Sequence, residues 1–219
     1  MQYSIGKRVI SSELAAKPPS QASGYLVAFL KSRDRVRHAL DYGCGKLRYS
    51  GHVASFAESL TLVDSPVQLD RQQRIDHKET TVRRLARQRW PNVRIEAISE
   101  FQTRQRPKFD FVLCANVLSA IPIAADRARA LTAIKRRLNI DGILLVVNQH
   151  TNSHYTQVAR REEVTKHLDG WLVPRGNSSA SYYGILDRKR VCSILETLGY
   201  GIAEQWIEGQ SNYTLARIR

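Results

Sequence analysis

Ala39-Leu40-Asp41-Tyr42-Gly43-Cys44-Gly45 is the stretch that determines the fold class of this chain. Residues 36–42 predict a short strand, and the two glycines after it predict a tight turn into a helix. A nicotinamide-binding turn would continue as Gly-x-Gly-x-x-Gly, but Arg48 stands at the third glycine position. The stretch therefore predicts a strand–turn–helix unit and disfavours a nicotinamide oxidoreductase.

Strand-like and helix-like segments alternate along the rest of the chain. After residues 36–42, the further predicted strands are residues 60–63, 93–98, 109–115, 143–147, 202–207 and 213–218. Alternation of this kind requires a mostly parallel sheet that is covered on both faces. The prediction is an α/β fold with a doubly wound, mostly parallel seven-stranded sheet and an antiparallel C-terminal hairpin.

The predicted domain organisation has two parts. Residues 1–35 form an N-terminal arm and helix, and residues 36–219 form the main domain. Within the main domain, residues 148–187 are less regular and mix aromatic with basic side chains. Loops of this kind carry specificity on a fixed scaffold, so this segment is the predicted acceptor-side insertion or lid.

Polar residues and glycines follow successive predicted strands at the points where the strands end. In a doubly wound sheet, ligands bind beyond the carboxyl ends of the strands. The residues predicted to meet at one crevice, and to hold a cofactor there, are Asp41, Gly43, Gly45, Asp64, Ser65, Ser99, Glu100 and Asn116.

These features, taken in order, resemble the class I S-adenosylmethionine (SAM) dependent methyltransferases. The resemblance covers about residues 37–149: an acidic residue and Gly-x-Gly after the first strand, Asp64 after the second, Ser99-Glu100 after the third, and Phe109–Asn116 at the fourth. One departure is Leu47, which stands where the family often has another glycine. A second is the charge of Lys46, close to where a cationic cofactor would bind.

The resemblance implies a Rossmann-like fold, SAM as the cofactor, and roles for the matching residues. Asp41 would hold the ammonium group of SAM, while Gly43 and Gly45 would let the backbone approach it closely. Asp64 would accept hydrogen bonds from the ribose hydroxyls. The implied function is methyl transfer to nitrogen or oxygen of an acceptor that the sequence does not identify.

Candidate catalytic residues follow the fifth strand, where side chains would overhang the transferred methyl group. They are His150, His154 and Tyr155, and histidine is suited to accept a proton near neutral pH. His150 and His154 are four residues apart, but no third metal ligand is evident, so no metal site is predicted. The chain also lacks the Asp/Asn-Pro-Pro-Tyr and Pro-Cys motifs of DNA-base methyltransferases, which argues against those two reactions.

The charge of the chain predicts its partners. It carries 34 lysines and arginines against 20 acidic residues, a net charge of +14, so RNA or another polyanion is an expected acceptor or partner. The alternative is a catalytically silent protein of the same fold that binds nucleic acid or a protein through its basic face. No apolar run indicates a membrane contact, and three widely spaced cysteines fit a cytoplasmic protein. The sequence makes no prediction of the oligomeric state.

Overall fold

The structure, a computed structural model, describes residues 1–150, 153–176 and 178–219, and for residues 153 and 154 it describes the backbone alone. Its strands are β1 (Gln2–Ile5), β2 (Arg8–Ser11), β3 (Val36–Tyr42), β4 (Ala57–Asp64), β5 (Gln73–Ile75), β6 (Lys78–Thr80), β7 (Arg94–Ala97), β8 (Phe109–Ala115), β9 (Leu138–Gln149), β10 (Thr165–His167), β11 (Gly170–Pro174), β12 (Ser179–Gly184), β13 (Tyr200–Glu208) and β14 (Ser211–Ile218).

The α-helices lie mostly between strands of the large sheet. They are α1 (Gly24–Lys31), α2 (Ser50–Ala54), α3 (Pro66–Asp70), α4 (Val82–Arg89), α5 (Ile98–Thr103), α6 (Ala124–Arg137), α7 (Ser153–Ala159) and α8 (Arg188–Thr197). Short 3-10 turns cover Ser12–Ala15, Pro19–Gln21 and Leu118–Ala120.

The large sheet has seven strands in the order β13-β14-β9-β8-β3-β4-β7. The pairs among β9, β8, β3, β4 and β7 are parallel, and β14 pairs antiparallel with both β9 and β13. Buried apolar side chains form clusters on both faces of this sheet, as expected for strands covered by helices on two sides. The predicted fold class is confirmed.

A second sheet joins the N-terminal residues to the segment 148–187. Its order is β1-β2-β12-β11-β10, and β2 lies parallel to β12 through the pairs Val9–Ser179 and Ile10–Ala180. We call this five-stranded sheet the roof sheet. The N-terminal residues thus include a hairpin that pairs with the segment predicted to be an insertion or lid.

Polar contacts and close packing hold the roof sheet against the main domain. Arg127 is 1% exposed and contacts both parts of the molecule. On the roof sheet side, its Nη2 donates to the Tyr182 hydroxyl at 2.7 Å, and its guanidinium pairs with Asp169 at 2.5 Å. On the main-domain side, its Nε donates to the carbonyl of Ile121 at 2.8 Å. At Gly184, a Cβ atom would lie 2.7 Å from the carbonyl oxygen of Ser119. The roof sheet therefore has a fixed position above the main domain.

Candidate active site

A cavity of about 200 Å³ lies at the carboxyl ends of β3, β4 and β8. The main domain lines it with the turn after β3 and with Asp64 and Asn116. Residues 11–17 and the end of β12 line it from the roof side, together with Tyr3. Two separate parts of the chain thus enclose the crevice that the sequence predicted at the strand ends.

The turn after β3 has the backbone conformation that its glycines allow. Gly43 has φ of +74° and Gly45 has φ of +56°, a region that side chains disfavour. A Cβ atom at Gly43 would also lie 2.3 Å from Cγ2 of Val117. The amides of Gly43 and Cys44 donate to the carbonyl of Val63 at 2.8 and 3.1 Å. Both glycines line the cavity, where the backbone is open to close approach by a ligand.

Leu47 and Lys46, the two departures from the family pattern, have structural explanations. Leu47 has φ of +64°, a conformation that costs a side-chain-bearing residue about 1–2 kcal/mol. Its side chain is 2% exposed and packs in the apolar cluster below the turn, which offsets that cost. Lys46 donates from Nζ to the carbonyl of Arg74 at 3.3 Å, so a neighbouring hairpin holds its ammonium group.

Asp41 is a buried carboxylate at the end of β3. It is 3% exposed, lines the cavity, and accepts a hydrogen bond from the Ser50 hydroxyl at 2.6 Å. Burial raises the pKa of Asp41 to about 7, and the Ser50 hydrogen bond opposes the rise. A bound cation would stabilise its ionised form.

Asp64 is held at the end of β4 by two backbone amides. Oδ2 accepts from Gly45 at 2.8 Å and Oδ1 accepts from Ser65 at 2.7 Å. Burial raises the pKa of Asp64, while these two hydrogen bonds lower it. Each carboxylate oxygen has a further lone pair, so Asp64 can still accept donors from the cavity. Ser65 points elsewhere: its hydroxyl donates to Glu13 at 2.7 Å and accepts from the amide of Gln68 at 3.2 Å.

The segment after β7 reaches the cavity through different residues from the predicted ones. Ile98 and Gln102 of α5 line it. Ser99 and Glu100 are exposed, and Oε2 of Glu100 accepts the amide of Ala97 at 2.9 Å at the start of the helix. The cofactor roles of Ser99 and Glu100 stay predictions.

Asn116 follows β8 and presents an unpaired acceptor to the site. It has φ of +59°, which asparagine tolerates better than most residues, and its amide donates to the carbonyl of Val147 at 2.7 Å. Among the described residues, its buried Oδ1 atom has no hydrogen-bond partner. Unpaired buried polar atoms are costly, and a ligand donor in the cavity would satisfy this one.

The three candidate catalytic residues lie in different settings. Tyr155 is 2% exposed, lines the cavity and donates its hydroxyl to Gln149. Nε2 of His150 lies 3.1 Å from the carbonyl oxygen of Gly209. Because a carbonyl can only accept a hydrogen bond, that nitrogen carries the proton. The side chain of His154 lies outside the described part of the chain. All three catalytic assignments stay predictions.

Residues of the N-terminal segment and the roof sheet were missed by sequence reasoning. Glu13 lines the cavity, is 5% exposed and accepts a hydrogen bond from the Ser65 hydroxyl, and Ala16 lies against Gly45. Arg175 approaches the cavity from the roof side. No local motif marks these positions, because only the pairing of β2 with β12 brings them to the strand ends.

No group of three histidine, cysteine or acidic side chains is placed to hold a metal ion in the described part of the chain. Among the helices described, none combines the length and apolar content needed to cross a membrane.

Comparison with known sequences identifies the family. The sequence pattern of the family described as Methyltransferase domain matches residues 40–144, which run from β3 into β9. The chain is also 35% identical over 213 residues to the Uncharacterized protein YmfD of Escherichia coli K12, covering 97% of this chain and 94% of that protein. Residues 40–144 therefore belong to this methyltransferase domain family, and the chain as a whole is a homologue of YmfD.

Solved structures show the same fold. A SAM-dependent methyltransferase from Clostridium acetobutylicum superposes with a TM-score of 0.64 at 13% identity, covering 94% of both chains. The Burkholderia thailandensis 1,6-didemethyltoxoflavin-N1-methyltransferase, solved with 1,6-didemethyltoxoflavin and S-adenosylhomocysteine (SAH), superposes with a TM-score of 0.62 at 16% identity, covering 89% of this chain and 77% of that one.

Proposed function

We propose that this chain is an enzyme that transfers the methyl group of SAM to a nitrogen or oxygen atom of an acceptor. The observation that carries the proposal is the arrangement of Asp41, the Gly43–Gly45 turn and Asp64 around one cavity at the strand ends. Asn116 supports it, because this residue lines the cavity and its buried Oδ1 has no hydrogen-bond partner among the described residues.

The residues present fit the cofactor by their chemistry. Asp41 would accept from its ammonium group, and Asp64 would accept from its ribose hydroxyls. Ile98 and Gln102 line the cavity beyond Asp64 along the sheet, so they would contact the adenine. Positive φ angles at Gly43 and Gly45 keep side chains away from the backbone that the methionyl part would approach.

Bound SAM would supply a methyl group on a positively charged sulfur. The acceptor atom forms a bond to the methyl carbon while the carbon–sulfur bond breaks, the electron pair stays on sulfur, and the acceptor's proton passes to water. Such an in-line displacement depends mainly on positioning. Burial raises the pKa of Tyr155 above its ordinary value, so its hydroxyl would stay protonated and position Gln149 or the acceptor rather than accept a proton.

Calorimetric titration with SAM and with SAH tests the proposal. We expect the wild-type chain to bind both, and Asp64→Ala to weaken SAM binding by about tenfold or more, because hydrogen bonds to a charged group contribute about 1.5–3 kcal/mol. Asp70→Ala is the matched control, since Asp70 lies in the helix after Asp64 and pairs with Arg83 on the surface. Absence of heat and of thermal stabilisation with both compounds would contradict the proposal.

A further inference from the structure

The acceptor side of the cavity is a chamber under the roof sheet. Tyr3, Tyr155, Tyr182 and Tyr183 line it. The rings of Tyr155 and Tyr183 lie 6.0 Å apart at 76°, an edge-to-face arrangement. Aromatic walls of this kind favour planar ligands, which can stack on one ring and meet the edge of another.

The chamber is built on a fixed support. Tyr182 is held through its hydroxyl by the buried Arg127, and Nε2 of His167 donates to the carbonyl of Pro122 at 2.8 Å. These contacts join β10 and β12 of the roof sheet to the residues around α6. The roof therefore limits the acceptor to what fits between it and the strand ends.

Arg175 gives the chamber a positive charge in a defined orientation. Its Nε donates to the Ser181 hydroxyl at 3.0 Å, and its main chain pairs with Ser179 at 2.8 Å. Within the described residues, no carboxylate lies within 4 Å of the guanidinium of Arg175, which is exposed. Of the other arginines that line the cavity, Arg129 pairs with Asp126 and Arg48 donates to the carbonyl of Gln21. Arg175 thus presents a fork of N–H donors that suits a carboxylate or a similar anion.

From these observations we propose that the acceptor is a small planar molecule with a negatively charged group, which lies against the tyrosine rings and is bound at that group by Arg175. The inference rests on the proposed function, since it names the substrate class of the same site. A polynucleotide would have to insert a flipped base under the roof sheet, and it is the competing outcome of the test.

The test is calorimetric binding of aromatic acids, with their neutral amides as matched probes, to the full chain saturated with SAH. The probes are salicylate, 4-hydroxybenzoate and anthranilate against salicylamide, 4-hydroxybenzamide and anthranilamide. We expect at least one acid to bind about tenfold more tightly than its amide, because only the acid forms a charge-assisted pair with the guanidinium.

Variants assign that preference to one residue. Arg175→Gln should abolish the preference for acid over amide, and Arg84→Gln should retain it, because Arg84 is an exposed residue of α4 outside the cavity. The proposal is overturned if no acid is preferred over its amide, if the preference survives in Arg175→Gln, or if polyuridylate displaces the acids.

Repeating the titrations without SAH separates this proposal from the proposed function. A chain that prefers the acids but binds neither SAM nor SAH would contradict the proposed function alone. A chain that binds SAM but shows no preference for an acid would contradict the acceptor class alone.

Discussion

Asp41 and Asp64 are the residues whose ionisation the fold controls most directly. Both lie at the ends of neighbouring parallel strands, where Asp41 is buried and Asp64 is partly exposed, and burial raises the pKa of each. Two backbone amides donate to Asp64 and oppose the rise of its pKa, whereas Asp41 accepts from a single hydroxyl group. The cofactor-free chain therefore carries an acid at Asp41 that a cationic ligand would convert to a carboxylate.

The raised pKa of Asp41 predicts that SAM binding depends on pH. Below pH 7 the bound ammonium group requires loss of a proton from Asp41, so the dissociation constant should rise about tenfold per pH unit. Above pH 7 it should level off. Titrations from pH 5.5 to 8 would measure this, and Asp41→Asn should bind weakly with a flatter profile.

Ser50→Ala is the matched variant for the same experiment. The Ser50 hydroxyl lowers the pKa of Asp41, so its removal should move the inflection to higher pH. Stability of the cofactor-free chain has the opposite dependence on pH. Because the folded pKa lies above the ordinary value of 3.8, stability should increase as pH falls from 7 towards 4. If the pH dependence of SAM binding kept the same inflection in Asp41→Asn and in Ser50→Ala, the assignment to Asp41 would be wrong.

Residue motifs predicted the centre of the site but not its periphery. Asp41, Gly43, Gly45, Asp64 and Asn116 all line the cavity, because each lies at or just after the end of a strand that the sheet holds in place. Ser99 and Glu100 lie in the first turn of α5, where a shift of one residue along the helix exchanges the buried face for the exposed one. Ile98 and Gln102, on either side of them, line the cavity instead.

At the level of elements, the roof sheet is the part that sequence patterns did not predict. Strands β1 and β2 are four residues each, and β12 pairs with β2 through two residue pairs far apart in the chain. The spacing of apolar residues indicates which face of a segment is buried, but it does not indicate which distant strand that segment pairs with. The buried core strands were predictable, because short apolar runs such as residues 111–115, in alternation with helical segments, are typical of a sheet that is covered on both faces.

Arg127→Met tests the anchor between the roof sheet and α6. The change leaves the Tyr182 hydroxyl and the Ile121 carbonyl without the partner they have in the wild type, so we expect a loss of about 3 kcal/mol in the free energy of unfolding. Urea unfolding followed by circular dichroism would measure it. Arg136→Met, on an exposed position of the same helix, should change stability by less than about 0.5 kcal/mol. Equal midpoints for the two variants would contradict the anchoring role.

For the whole molecule, the net charge of +14 divides into arginines with structural roles and arginines on the surface. Arg137 is fully buried, pairs with Glu96 at 2.6 Å and lies over the ring of Phe101. Arg84 and Arg87 of α4 are exposed. Because Glu96 cancels the charge of Arg137, the excess of positive charge lies on other residues, of which Arg84 and Arg87 are open to a polyanion.

Polyanion binding by the exposed basic residues remains a proposal with a direct test. Fluorescence anisotropy with labelled polyuridylate and duplex DNA, at 50 and 200 mM salt, should show weak binding that falls steeply as salt rises, because binding releases counterions. The double variant Arg84→Gln/Arg87→Gln should reduce the slope by about 1–2 in a plot of log affinity against log salt concentration. No binding at 50 mM salt, or an affinity independent of salt, would remove nucleic acid from the expected partners.

The parallel pairing of β2 with β12 also orders events during synthesis. Val9 leaves the ribosome long before its partner Ser179, and contacts between distant parts of a chain form slowly. The large sheet up to β9 can assemble while the N-terminal hairpin still lacks its neighbour. The chamber under the roof sheet can close only after β12 has been synthesised, which leaves the hairpin accessible to chaperones and proteases in the nascent chain.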